Sequence, residues 1–361
     1  MPALTPEQIQ EIKYSVYDEV HNKRAPYVYD RRAMPWWSFL SKKAESTGAT
    51  GGKIIIKLQQ DGGLKVEHWD GRDVLQFREN RVDSELEFTF RRSHLGIEML
   101  HTELEDQGYS IAPNATRSKN FAKKMGEAEA HRIMDIFGQR IDDMMDKWDV
   151  EHDQIFLAQP TDPLAPLGLD ALMPLDPTSG LFGNKSRSNK LLQHQVKLGS
   201  TIIAGGTIER DLNALTRQAN INNRGMASRV DFIMAGADWI DAYVDYMKNN
   251  GREWRQGDFG KTSKVDIGIP DSALYFQDIP IVHNPTFEVM DSQGLYSGTT
   301  WTKRAYGLAS KSWKFFYANN KLKTFSAPMD PPDQRFTRMS LDGRFSLVPT
   351  KISGNWINTI A

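Results

Sequence analysis

The chain has 361 residues, 39% hydrophobic and 25% charged, with a formal net charge of −1 and no cysteine. That composition excludes a disordered chain, disulfides, thiolate nucleophiles and Cys-ligated zinc, and a protein drawn to nucleic acid by its overall charge. The first twenty residues lack an apolar signal core, and no run approaches the ~18 apolar residues that would span a bilayer.

In chain order, the first predicted element is a short helix. Thr5 caps it, Pro6 suits its first position and Gln8 completes a capping box. Ile9, Ile12, Val16 and Val20 then mark one face. Arg24 to Leu40 carries Tyr27, Tyr29, Trp36, Trp37 and Phe39, while Pro26 and Pro35 argue against regular structure there. So many rings on an irregular arm need a surface, either the chain's own core or a neighbour's. From Gly48 the pattern turns β-prone. Lys53 to Gln59 meets Leu64 to Trp69 across Gln60–Gly63, where Asp61-Gly62 tolerates positive φ, so a hairpin is predicted. Glu85 to Phe90 alternates cleanly. Segment 48–92 carries too little apolar content for a core of its own.

Arg117 to Trp148 is the longest helical pattern, with Phe121, Met125, Ala128, Met134, Phe137, Ile141, Met144, Met145 and Trp148 in an apolar stripe. It would run roughly 45 Å. Residues 158–206 are rich in Pro, Gly, Ser and Asn, and read as a functional loop or partly disordered. Ile208, Leu212 and Leu215 mark a helix. Arg229 to Met234 is a buried-type strand leading into a second helix, with Ile240, Tyr243, Val244 and Met247 on one face and an end near Gly251. This strand–turn–helix belongs to an α/β or α+β domain. Further strands are expected at Ser272–Gln277, Ile279–His283 and several times between Tyr306 and Leu347.

Few patterns promise chemistry. Gly48-Ala-Thr-Gly-Gly-Lys53 has the wrong spacing for a phosphate loop, and Ile54 stands where Ser or Thr would bind Mg²⁺, so it reads as a flexible turn. Glu127, His131 and Asp135 share a helix face and could ligate a metal, but a solvated polar face accounts for them. His68, Asp70 and Asp73 read as surface groups on the hairpin. No Gly-x-Ser-x-Gly elbow occurs. No catalytic residue, metal or cofactor is assigned.

Two charge runs stand out. Asp142, Asp143, Asp146, Asp149, Glu151 and Asp153 oppose only Lys147 near the end of the long helix, where acids oppose the helix dipole. Lys303, Arg304, Lys311, Lys314, Lys321 and Lys323 form a basic run. Two ordinary solvated faces are one reading. The other is that these complementary blocks meet within or between subunits. A competing use of the basic run is weak contact with nucleic acid.

The order of elements resembles the Hong Kong 97-type capsid fold of tailed-bacteriophage major capsid proteins. Local similarities lie in Phe90-Arg-Arg-Ser-His-Leu-Gly96, Trp148 to Phe156, Leu167-Gly-Leu-Asp-Ala-Leu172 with Gly180 to Asn184, Phe232 to Asp238, Phe276 to Ile281, and Asp342 to Ala361. The resemblance implies an α+β fold with an N-terminal arm (1–47) and an extended β-hairpin loop (48–92). A peripheral domain (93–160) with a spine helix (about 117–148) and an irregular connection (161–206) would follow. An axial domain (207–300) and C-terminal strands (301–361) returning to the peripheral and axial core would complete it.

It further implies a structural protein, assembled in the host cytoplasm into hexamers and pentamers of an icosahedral virion shell around double-stranded DNA. A near-neutral chain suits a container that encloses this polymer without gripping it. Inter-subunit contacts are then expected from Tyr27, Tyr29, Trp36 and Trp37 of the arm and from Lys53, Lys57, Asp61, Gly62, Gly63 and Trp69 of the loop. Asp142, Asp146, Lys311 and Lys314 are expected from the charge runs.

About 116 residues precede the spine helix, and the arm and loop use most of them, so a separate scaffolding protein is expected. A portal protein and a decoration protein are the other implied partners; no membrane is. Lys53, Lys57, Lys65 and Asn355 would be available for covalent crosslinking, but nothing in their spacing specifies it, and none is expected. The nearest alternative is an encapsulin shell; one of another class is a metal-dependent hydrolase using Glu127, His131 and Asp135.

Overall fold

The computed structural model describes residues 34–47, 52–58, 84–100, 143–202, 206–222, 229–249, 274–296, 298–318, 322–326 and 336–361. The helix predicted from Thr5, the hairpin tip with Asp61, Gly62, Gly63 and Trp69, and the predicted helix up to Asp142 lie outside them. So do Tyr27 and Tyr29, the candidate metal ligands Glu127, His131 and Asp135, and His68, Asp70 and Asp73.

The first half contributes α1 (Pro35–Lys42), β1 (Ala44–Thr47), β2 (Lys53–Leu58), β3 (Ser84–Thr89), β4 (Arg91–Leu100), α2 (143–157), α3 (Leu169–Leu172), β5 (Leu181–Phe182) and β6 (Lys185–Ser186). After these come β7 (Gln195–Ser200), α4 (Ile208–Asn222), β8 (Phe232–Ala235), α5 (Ala237–Asn249), β9 (Leu274–Phe276), β10 (Ile279–His283) and α6 (Thr286–Ser292). The last are β11 (Arg304–Leu308), β12 (Trp313–Ala318), β13 (Thr324–Phe325), β14 (Phe336–Pro349) and β15 (Trp356–Ile360).

A five-stranded sheet has the order β1-β12-β14-β13, with β4 also paired to β14. β14 is its backbone. Ten of its residues pair antiparallel with β4, from Phe336↔Leu100 to Phe345↔Arg91, and Phe345–Pro349 pair with β12. α2 packs on this sheet through Trp148, His152 and Phe156, whose rings meet Phe345 at 6.3, 5.1 and 5.4 Å. These positions are four residues apart, so the helix continues past the predicted end at Trp148 to residue 157.

A six-stranded sheet has the order β7-β15-β11-β8-β10-β9, with β7/β15 and β8/β10 parallel and the other pairs antiparallel. α4 buries Ile208, Leu212, Leu215 and Ala219 in the same cluster as Trp239 and Tyr243 of α5, Ile233 of β8 and Trp356 of β15. This sheet takes β11 and β15 from the C-terminal segment 301–361 and β7 from before residue 207. β7 itself was not expected: it lies in the connection 161–206, much of which is packed, with Leu169, Leu172, Met173, Phe182 and Leu192 all buried.

The base of the long hairpin also differs from expectation. β2 and β3 pair from Lys53↔Thr89 to Leu58↔Ser84, and Leu86 and Phe88 are buried. Phe88 meets Phe182 edge-on at 5.5 Å. Gly183, in the left-handed region at φ +62°, lets the β5–β6 turn lie against the Glu87 backbone, where a Cβ would come within 3.2 Å of the carbonyl oxygen. The base is therefore packed within its own subunit.

The two sheets are joined where two segments cross side by side. Residues 309–312 carry the chain from β11 to β12, and 350–355 carry it back from β14 to β15. Thr350 donates its backbone N–H to Ser312 O at 2.7 Å. Asn355, fully buried, holds the crossing. Its Oδ1 accepts from the Ala309 N–H at 2.9 Å and Trp313 Nε1 at 3.1 Å, and its Nδ2 donates to Lys351 O at 3.1 Å. Removing this amide strands two buried donors, each worth about 1–3 kcal/mol. Asn355→Ala is therefore expected to lower subunit stability by roughly 3 kcal/mol, read as a fall in the urea midpoint at unchanged m-value.

Candidate assembly surfaces and the anchor of the arm

α1 is where the arm enters the fold. Pro35 is no breaker here: it occupies the start of the helix, where its missing N–H is unneeded. The helix then turns Trp36, Trp37, Phe39 and Leu40 inward. Trp36 and Trp37 are 0% and 4% exposed within the subunit, which corrects the expectation that they reach a neighbour. Trp36 Nε1 donates to Phe156 O at 3.1 Å. The Trp37 N–H donates to Asp153 Oδ1 at 2.9 Å, and its Nε1 to Asp149 Oδ1 at 2.7 Å. Trp37 also stacks on Phe156 at 5.7 Å. Asp153 Oδ2 accepts from Thr286 Oγ1, so one carboxylate ties α1, α2 and α6 together.

The acidic run is thus not a solvated face throughout: Asp143 is exposed, but other members are engaged. Asp149 and Asp153 serve the joint, Asp146 is half-buried, and Glu151 pairs with Lys147 at 3.5 Å. The Trp37 donors offset the unfavourable placement of acids toward the helix C-terminus. The basic run is engaged as well. Arg304 is fully buried, with Nη1 2.9 Å from Asp170 Oδ1 of α3, Nε 2.8 Å from Thr299 O, and its guanidinium 4.6 Å from the Trp301 ring centroid. Burial pushes the Asp170 carboxyl up, against the pull of Arg304. Lys323 reaches Asp149 Oδ1 at 2.5 Å, so one pair joins the two runs inside a single chain. Lys314 lies 3.8 Å from Glu45, both largely exposed, a contact of at most about 1 kcal/mol.

The outward face of the hairpin base carries Lys53, Ile55 and Lys57, all exposed. Lys53 pairs with Glu87 at 2.8 Å. Ile55 is 57% exposed between two lysines. The turn before β2 contains Gly52 at φ +75°, whose carbonyl accepts from the Phe90 N–H at 3.0 Å, and Lys53 is committed to Glu87. This geometry favours a turn over a phosphate loop. Asn355 is fully buried and enclosed by the donors and acceptors described above. Among the described residues no group of three or more His, Asp or Glu is placed to hold a metal.

His152 fills the space between Trp148 and Trp37, with ring centroids at 4.0 and 5.3 Å. Its Nδ1 lies 2.7 Å from Trp148 O and so carries the proton of the neutral ring. Burial pushes its pKa down to about 4; Asp149 opposes this and Lys323 adds to it. Burial, reinforced by Arg187, pushes His194 down to about 3. Unfolded histidines take up protons near 6.5. As pH falls below 6.5 the unfolded chain therefore binds protons that the native chain refuses, and stability falls until the native rings titrate near 4 and 3. For His152 the loss amounts to roughly 3 kcal/mol. Urea midpoints of unassembled subunits are expected to drop across this window, and His152→Phe, which keeps a ring but no titration, should flatten the slope.

No protein-family model matches the sequence, and no curated protein is significantly similar to it. Solved structures, by contrast, follow nearly the whole chain. The cyanophage A-1(L) capsid matches with a TM-score of 0.62 at 12% identity, covering 94% of this chain and 96% of that one. The capsid of a native GTA particle gives 0.53 at 9% identity, covering 96% and 98%. The holo-SrpI encapsulin complex from Synechococcus elongatus gives 0.52 at 11% identity, covering 99% and 96%. What is shared at such identities is the path of the chain, and by that path this protein has the Hong Kong 97-type fold of phage capsid and encapsulin subunits.

Proposed function

We propose that this chain is the major capsid protein of a tailed bacteriophage, building hexamers and pentamers of an icosahedral shell around double-stranded DNA. The reading is carried by the likeness to the cyanophage capsid over 94% of the chain. The engaged state of the buried ionisable groups supports a structural role without catalysis: Asp153, Asp170 and Arg304 are all hydrogen-bonded within the fold. Assembly would take place in the host cytoplasm with a separate scaffolding protein and a portal, and a decoration protein could bind the finished head. The arm, with Tyr27 and Tyr29, and the hairpin, with Lys53, Lys57 and the Asp61–Gly63 tip, would lie on neighbouring subunits. Asp146, Lys311 and Lys314 remain candidate contacts between subunits, whereas Trp36 and Trp37 serve the subunit itself.

A second reading, an encapsulin shell, is favoured by the likeness to the encapsulin complex. Negative-stain microscopy of the expressed chain, alone and with its scaffold, separates shells from a small soluble oligomer, which would refute both readings. Particles that carry DNA and a portal support the phage head; particles that carry a cargo protein support the encapsulin.

Two outcomes are expected of the particles. Ile55→Glu should abolish assembly, or raise the subunit concentration it needs at least tenfold, while leaving the melting temperature of the free subunit within about 2 °C, because the side chain is exposed. On a denaturing gel, particles should show no ladder of crosslinked multimers.

A further inference from the structure

One open groove in the described residues is lined mainly by residues with polar side chains. Along α4 it is lined by Asn213, Thr216, Arg217 and Asn220, and it is closed by Arg229 before β8 and Gln277 in the β9–β10 turn; its volume is about 830 Å³. The turn is unusual. Gln277 and Asp278 both have positive φ, 49° and 65°, where a two-residue hairpin turn ordinarily uses Asn or Gly. This strained conformation presents the Gln277 amide to Asn213 Oδ1.

Two observations point to a missing ligand. Thr216 is only 4% exposed, yet its hydroxyl has no hydrogen-bond partner, and the same holds for Asn220 Oδ1. Buried polar atoms left in this state cost about 1–3 kcal/mol each. Arg217 and Arg229 are exposed, and no carboxylate lines the groove among the described residues. The preferred ligand is therefore an anion rich in acceptor oxygens. Two guanidinium forks, a hydroxyl and amide N–H groups suit a phosphate better than a peptide carboxylate. A half-turn of the Asn220 amide puts its Nδ2 where Oδ1 now lies, adding a donor. Among the described residues Ile221 is the one apolar side chain in the lining.

The basic run 303–323 is the competing site for such contact, but much of it is occupied. Arg304 is buried on Asp170, Lys323 on Asp149, and Lys303 donates to Ala361 O at 3.2 Å. We propose that the α4 groove, with Arg217, Arg229 and the Thr216 hydroxyl, binds backbone phosphates of the enclosed nucleic acid weakly and without sequence preference. This rests on the shell reading for its source of phosphate. A chain of net charge −1 would in this way touch its contents locally.

The test uses the unassembled full-length subunit and a short, fluorescently labelled DNA duplex of random sequence, with anisotropy read across a salt series. The double variant Arg217→Gln/Arg229→Gln is expected to bind at least tenfold more weakly, with the log–log salt slope shallower by about 2, since each lost phosphate contact removes about 0.9. Thr216→Val should weaken binding several-fold with no loss of thermal stability, because it deletes an unpaired hydroxyl. Duplex binding unchanged in the double variant overturns the proposal. Competition by orthophosphate at this site with no binding of duplex also overturns it, by replacing the polymer with a free ion. Failure of the shell reading is seen separately: a chain that never forms particles yet loses duplex binding on the double substitution keeps the groove and loses the capsid.

Discussion

The structure depends on a double crossing. Sheets of five and six strands share no strand; they are joined through 309–312 and 350–355, running in opposite directions side by side. That junction connects two pairs of neighbours, since β11 and β15 lie next to each other in one sheet while β12 and β14 lie next to each other in the other. A single side chain, Asn355, closes it with both ends of its amide. An amide is suited to this place, since it offers acceptor and donor without a charge that would have to be desolvated.

The second joint, at the end of α2, solves a different problem. It must hold a helix that bears acids near its C-terminal end. Burying Asp153 against a backbone N–H and a hydroxyl, and Asp149 against an indole N–H and Lys323, turns an unfavourable placement into the anchor of the arm. The aromatic rings then exclude water from those bonds, which strengthens them and keeps His152 neutral. The same pattern recurs at Arg304 and Asp170, where a charge pair fixes the irregular connection to the six-stranded sheet. In each case a charged group holds a particular path of the chain, while the surrounding rings supply most of the burial.

Much of this architecture was legible where burial follows a local period. Ile208, Leu212 and Leu215 announce α4, and Phe232 to Ala235 reads as a fully buried strand. In α5 the predicted face of Ile240, Tyr243, Val244 and Met247 is rotated by about one residue. The buried set is Trp239, Ala242, Tyr243 and Tyr246, because a tyrosine hydroxyl can reach a polar partner (Tyr246 to Glu209 at 3.2 Å) while its ring is covered. Pro35 misled because the same residue ends one helix and starts another. β7, Gln195-Val-Lys-Leu-Gly-Ser200, is an edge strand whose alternation runs for only four residues before Gly199. Arg304 looked like one of several surface cations, and its partner Asp170 is 134 residues away, a separation at which sequence carries no local trace. The α4 groove was invisible for the same reason: Arg229 and Gln277 are brought to the helix only by the sheet.

The position of β15 has a consequence for synthesis. This strand lies between β7 and β11 and is buried along its whole length, yet it is the last strand of its sheet to leave the ribosome. Until residue 360 has emerged, β7 has no partner in the sheet, β11 has one open edge, and Trp239 Nε1 lacks the Asn358 acceptor 2.8 Å away. Chains interrupted before residue 356 therefore cannot complete the fold and expose open strand edges that mark them for aggregation or degradation. The sheet order thus makes closure of the six-stranded sheet wait for residues 356–360.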